Sequence, residues 1–255
     1  MTKIIAVTNQ KGGVGKTTTS INLAASLVKT KRRVLLIDMD PQGNATMGSG
    51  VSKNEIGVSV YQVLLGLAPM DQARRPTASG YDLVPANSDL AGAEIELINL
   101  DRRERRLAQA LDSVAGQYDY VLIDCPPSLN LLTVNALVAS QAVLIPMQCE
   151  YFALEGLSSL VDTIARVREA LNPQLQIEGL LRTMYDPRNS LANEVSAQLV
   201  QHFGDKLYRT IIPRNVRLAE APSHGQAVIA YDMQSKGAQA YLALAGEMLR
   251  REQAV

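Results

Sequence analysis

The sequence has no tryptophan, two phenylalanines and two cysteines, and aromatic residues make up 4% of it against 47% apolar residues. A core without large rings must be filled by Ala, Val, Ile and Leu, which suits a parallel sheet covered by helices and argues against a β-sandwich. Cys125 and Cys149 are too sparse and wrongly spaced for a zinc site or a disulfide framework. Each adjoins an apolar run, where a free thiol packs as a small hydrophobe. No apolar run approaches the roughly 18 residues a membrane span requires, and "MTKIIAV" leads straight into a glycine-rich loop, leaving no room for a signal peptide. A cytoplasmic protein is the expectation. An excess of either charge is also missing, since 25 Lys and Arg balance 25 Asp and Glu. Any affinity for nucleic acid must therefore be local. His202 and His224 lie far apart without neighbouring ligands, which argues against a metal role.

What is present is a repeating pattern. Short β-branched or Leu-rich runs at 3–9, 33–40, 81–86, 118–126, 142–147, 177–185 and 207–213 read as strands. Between and after them, 17–30, 87–99, 101–115, 128–140, 154–171, 189–202 and 236–251 read as helices, with Asn87, Asp101 and Ser128 as N-caps. Strands alternating with crossover helices predict an α/β fold, a doubly wound, mostly parallel sheet with helices on both faces. Nothing resembles a linker, so one domain over 1–255 is expected. Ligands of such a sheet sit at the carboxyl ends of its strands.

The first such end carries "NQKGGVGKTTT", residues 9–19. It matches the phosphate-loop pattern G-x-x-x-x-G-K-[ST] at Gly15, Lys16 and Thr17, with Gln10 in place of the opening glycine. Gly12, Gly13 and Gly15 let the backbone curl its N–H groups, Val14 included, inward at phosphate oxygens. The helix from Lys16 adds its N-terminal dipole. Lys16 can reach the β- and γ-phosphates of a nucleotide, and Thr17 can ligate Mg²⁺. Lys11, one step before the glycine turn, points away from the phosphates of its own loop. Asp38 and Asp40 stand two apart at a strand end, so both side chains lie on one face. Asp124 ends the apolar strand "YVLID", where a carboxylate can hold Mg²⁺ directly or through water.

K-G-G-V-G-K-T at 11–17 resembles the deviant Walker A motif of the ParA/MinD group of P-loop ATPases, and the likeness runs from about residue 3 to 250. "PMQCEYFALEGL" at 146–157 and "TIIPRNVRLAEAPSHGQAVIAYD" at 210–232 are similar to stretches of its chromosomal ParA, or Soj, branch. The resemblance implies ATP and Mg²⁺ as cofactors, with Lys11 crossing a homodimer interface to the partner's nucleotide. It makes D-M-D-P-Q-G-N at 38–44 the first switch, in which Asp40 positions the attacking water and Asp38 lies nearer the Mg²⁺ shell. The loop after Asp124, stiffened by Pro126 and Pro127, resembles the second switch. Thr18, Pro213 and Asn215 join the expected nucleotide-binding residues.

The resemblance further implies DNA partitioning, with hydrolysis slow alone and stimulated by a ParB-like centromere-binding partner. In that family, non-specific duplex binding depends on arginines that match Arg188 and Arg217 here. The six Lys and Arg at 182, 188, 206, 209, 214 and 217 exceed the three acids at 186, 194 and 205 by three. Without interleaved aromatics they suit phosphate contact rather than base readout. Nucleoid association is the consequence. A denser run, Arg102, Arg103, Arg105 and Arg106, has Asp101 and Glu104 interleaved and reads as a solvated face. The phosphate loop begins too early for a preceding helix-turn-helix, so operator repression is not expected. A MinD-like membrane role lacks its basic amphipathic tail, and an iron–sulfur reductase lacks cysteines in suitable contexts.

Overall fold

A computed structural model, which describes residues 2–253, shows one seven-stranded sheet. Its strands are β1 (Lys3–Val7), β2 (Val34–Asp38), β3 (Arg75–Pro76), β4 (Asp82–Val84), β5 (Tyr120–Asp124), β6 (Ala142–Met147) and β7 (Gln176–Arg182). They run in the order β3-β4-β2-β5-β1-β6-β7. All neighbours are parallel except β3, which pairs antiparallel with β4 at the edge. The period of two along each strand divides the apolar side chains between the faces. Ile4, Ala6, Leu35 and Ile37 enter one core, whereas Ile5, Val7, Val34 and Leu36 enter the other. Helices Lys16–Lys29 and Lys236–Gln253 cover the second core with Ile21, Leu23, Leu244 and Met248. Val60–Leu65, Leu90–Leu97, Leu131–Ala139, Ala153–Ala170 and Ser190–Phe203 cover the first. The doubly wound α/β sheet predicted from the pattern is the one observed.

Several local expectations are corrected. Residues 207–213 do not form a strand. Only single pairings of Leu207 with Leu180 and Pro213 with Tyr185 remain, because the N–H groups of Arg209 and Thr210 donate to the Glu247 carboxylate at 2.9 and 2.8 Å. Pro213 has no N–H to donate. β3 escaped notice because two residues carry no periodicity. The helix expected at 101–115 is a short turn at Arg103–Arg105 and a helix at Arg106–Leu111. Arg102 before it is left-handed, φ 52°, so Asp101 caps nothing. Asn130, not Ser128, accepts from Thr133 N at 3.1 Å, while Ser128 O takes the Thr133 hydroxyl at 2.6 Å. Asn87 lies before a helix that starts at Leu90, and its amide donates to Asp89 instead. Among the described residues no helix is long and apolar enough to cross a membrane.

Candidate nucleotide site

β1, β2 and β5 end side by side, with Asp38 and Asp124 in register across β2 and β5. The loop leaving β1 turns at Gly13, φ 73°, and Gly15, φ 86°, backbone that an L side chain rarely adopts. A Cβ at Gly12 or Gly13 would meet nothing within 4 Å, so this side of the loop is open. Helix Lys16–Lys29 has no side-chain cap at its start. Its first-turn N–H groups therefore suit an anion. Lys16 is 7% exposed, and its ammonium donates to Lys11 O at 3.0 Å. Burial lowers its pKa, opposed by the nearby carboxyls of Asp124 and, less, Asp40.

The carboxylates are held differently. Asp124 Oδ2 accepts from the Thr17 hydroxyl and Oδ1 from that of Ser20, both at 2.8 Å. Ser20 follows Thr17 by three residues and so shares its helix face. That spacing could have found it in the sequence. Asp38 Oδ2 accepts from Thr46 N at 2.8 Å and its hydroxyl at 2.7 Å, and Oδ1 accepts from Asp40 N at 3.1 Å. Thr46, which the sequence did not single out, thus ties helix Asn44–Gly48 to the strand end. Asp40 is 9% exposed, and its Oδ1 accepts from Gln42 N at 2.9 Å.

Burial pushes the Asp38 carboxyl up to about 6. Burial first, then the charge of Asp38, pushes Asp124 up to about 7. The folded chain therefore holds protons on this pair more tightly than the unfolded chain does, between the ordinary 3.8 and about 7. Stability of the magnesium-free protein should fall as pH rises through that window. Asp124→Asn should remove part of the loss, because the Thr17 and Ser20 hydroxyls can rotate to meet an amide. Thermal melts from pH 4 to 8 without Mg²⁺ check this, and an Asp124→Asn protein that melts no higher than the unsubstituted one at pH 8 refutes it.

Among the described residues no three His, Cys, Asp or Glu side chains could hold a metal ion together. The oxygens present, a hydroxyl and two carboxylates, suit a hard cation that draws its other ligands from phosphate and water, as Mg²⁺ does. Gln10 Nε2, buried within the loop and without a partner among the described residues, is a further donor for a bound group. Lys11 turns outward: its side chain is 45% exposed and pairs with the Glu150 carboxylate. Thr183 was also missed, and its hydroxyl donates to Val14 O at 2.7 Å. Asn215 Oδ1 accepts Leu218 N at 3.3 Å and caps Val216–Glu220. Pro213 pairs with Tyr185, two residues beyond Thr183.

The basic segment looks different once folded. Arg182 is 8% exposed and donates to Ser196 Oγ and Tyr208 O at 2.8 and 3.0 Å, so it leaves the surface charge counted from sequence. Arg188 is exposed but forked onto Asp186 at 2.9 and 2.7 Å. Arg217 pairs with Glu220 at 2.8 Å and Asp232 at 3.3 Å. In the denser run, Arg105 and Arg106 donate to the carbonyls of Leu171 and Leu64 and Arg103 pairs with Glu104. Cys125 and Cys149 are free and buried, and burial raises both thiols.

A family model described as an AAA domain matches residues 2–177. The chain is 55% identical over 249 residues to the sporulation initiation inhibitor protein Soj of Bacillus subtilis, covering 97% of this chain and 98% of that one. It is 54% identical over 253 residues to the chromosome partitioning protein ParA of Caulobacter vibrioides, covering 98% and 95%. A solved structure described as cobyrinic acid a,c-diamide synthase from Mycobacterium smegmatis, with a bound ATP analogue and magnesium, is 40% identical with a TM-score of 0.88, covering 99% and 96%. With phosphate loop, strand-end carboxylates and whole-chain likeness in agreement, the chain belongs to the ParA/Soj family of partitioning ATPases.

Proposed function

We propose that the chain, as a single ATPase domain over 1–255, binds ATP with Mg²⁺, pairs face to face with a second copy, and in that state holds duplex DNA without sequence preference. Hydrolysis, stimulated by a ParB-like partner, then releases it and returns the protein from the nucleoid to the cytoplasm. The observation that carries this reading is Lys11. Its carbonyl serves its own loop by accepting from Lys16, while its ammonium faces outward to Glu150. Lys16, with the N–H groups of 12–18, holds the phosphates. Thr17 and Asp124 hold the Mg²⁺. Asp38, already occupied by three donors, would face the metal's water shell rather than the ion, and Asp40 would orient the attacking water. Pro213 and Asn215 complete the nucleotide pocket. The amide-synthase description of the Mycobacterium smegmatis structure goes with lower identity than the Soj and ParA chains share.

For DNA, phosphates must displace the acids now paired with Arg188 and Arg217. Exposed pairs of this kind contribute only about 0–1 kcal/mol, so release of counterions from the duplex can exceed them. Arg188→Glu or Arg217→Glu should abolish DNA binding and keep the ATP dimer, whereas Asp186→Asn should tighten DNA binding several-fold. With two arginines per protomer, the logarithm of affinity should fall against that of salt with a slope of about −4, from roughly −0.9 per phosphate. Sedimentation and DNA titration with ATP, with ADP and without nucleotide test the whole reading. A monomer in all three states refutes it.

A further inference from the structure

The phosphate loop leans on a residue from the far end of the sheet. Thr183 follows β7 directly, is 2% exposed, and donates its hydroxyl to the carbonyl of Val14, itself 1% exposed, across 169 residues of sequence. Its own N–H is spent on Met147 O at 2.9 Å, which fixes it to the end of β6. The Val14 carbonyl and the Gly15 N–H belong to one planar trans peptide and point in opposite directions. A hydroxyl that draws the carbonyl outward therefore aims the Gly15 N–H into the concave side of the loop, where a phosphate is to be met. Gly15 on one side of this peptide is left-handed and lacks a side chain, so its own residue does little to fix the plane there.

The next residues continue the connection. Met184 is left-handed, φ 48°, an uncommon state for a side chain that is not glycine. It lies beneath the loop: a Cβ built at Gly15 would be 3.7 Å from Thr183 Cβ and 3.9 Å from Met184 Cε. Gln148 Nε2 stands 3.1 Å from Met184 Sδ. Tyr185 N then donates to Ile212 O at 3.1 Å, and Arg214 N donates to Tyr185 O at 3.2 Å. Arg188 follows on one branch and Arg217 on the other.

We propose that Thr183 is a positioning residue that sets the Gly15 N–H for phosphate and, through Met184 and Tyr185, ties the loop to the two segments bearing Arg188 and Arg217. A change in the loop's peptide plane is then transmitted to both arginines, because 183–185 is bonded on each side and strained at its centre. The transmission half rests on the DNA reading above.

The test compares Thr183→Val, which keeps shape and loses the hydroxyl, with Thr183→Ser, which keeps the hydroxyl. DNA affinity is measured with saturating ATP and saturating ADP, with sedimentation as the control for dimerisation. Thr183→Val should still dimerise with ATP but lose tenfold or more of the ATP-to-ADP ratio of DNA affinities, and Thr183→Ser should restore it. An unchanged ratio in Thr183→Val overturns the proposal, and so does loss of the dimer together with DNA binding, which would confine Thr183 to the loop. If Thr183→Val does not melt cooperatively, Met184→Gly is decisive, since glycine tolerates the backbone and removes the side chain under Gly15. It should show the same drop, and an unchanged ratio there overturns the link. Equal affinities with ATP and ADP in the unsubstituted protein would instead refute the DNA reading and the transmission with it.

Discussion

Lys11→Ala should leave ATP binding to the monomer within a few-fold of the unsubstituted protein while removing ATP-dependent dimerisation and lowering hydrolysis by about 10³-fold or more. The size follows from what a cation brought in by a second chain contributes when charge develops on the transferred phosphoryl group, which is 10³ to 10⁵ in kcat for an arginine supplied in this way. The selectivity follows from geometry. Lys16 is buried in the loop with its ammonium over the Lys11 carbonyl, whereas the Lys11 ammonium is half exposed and faces Glu150. An ion pair that exposed contributes about 0–1 kcal/mol. A partner's phosphates can therefore replace Glu150 with little loss, and the lysine is free to move. Lys16→Ala should behave differently and lose nucleotide affinity itself. Equilibrium binding of a fluorescent ATP analogue together with sedimentation separates the two. Equal loss of affinity in both variants would mean that Lys11 serves its own loop, and the assignment across the interface would fall.

Asp40→Ala should trap the ATP dimer and raise DNA affinity with ATP to about 100-fold above that with ADP. Among the described residues the Asp40 side chain makes one hydrogen bond, accepting from Gln42 N, so its loss disturbs one turn rather than the hydrogen bonds of the phosphate loop or the Thr17–Asp124 pair. Hydrolysis stops if the carboxylate orients the water, while the glycine turn and the Thr17–Asp124 hydrogen bond stay in place. Valence supplies a large part of the affinity gain. One protomer offers Arg188 and Arg217 in competition with their acids, but a dimer doubles them on one body, and linked sites gain 10²- to 10⁴-fold without any new contact. DNA titration of the Asp40→Ala protein at fixed salt with each nucleotide measures this directly. Equal affinity in the two states would leave a basic surface and a separate ATPase. Failure to dimerise with ATP would assign Asp40 to binding or folding.

The sequence by itself determined the sheet and its cofactor chemistry, since both are written in contiguous residues. A buried parallel strand is a short apolar run, and a phosphate loop is a string of glycines whose backbone is the ligand, so β1, β2, β5, β6 and the loop at 11–17 are legible without any partner. Asp38, Asp40 and Asp124 are legible because they terminate such runs. Only the tertiary structure decided matters that depend on distant partners. Segment 207–213 reads as a strand until Glu247, from the last helix, takes two of its N–H groups. Arg182 counts as surface charge until Ser196 and Tyr208 enclose it. Asn130 takes the cap assigned to Ser128 by a two-residue difference that the local sequence leaves open. The hold of Thr183 on Val14 leaves no local trace at all, because a hydrogen bond spanning 169 residues is specified by the order of the strands and not by the residues on either side of it.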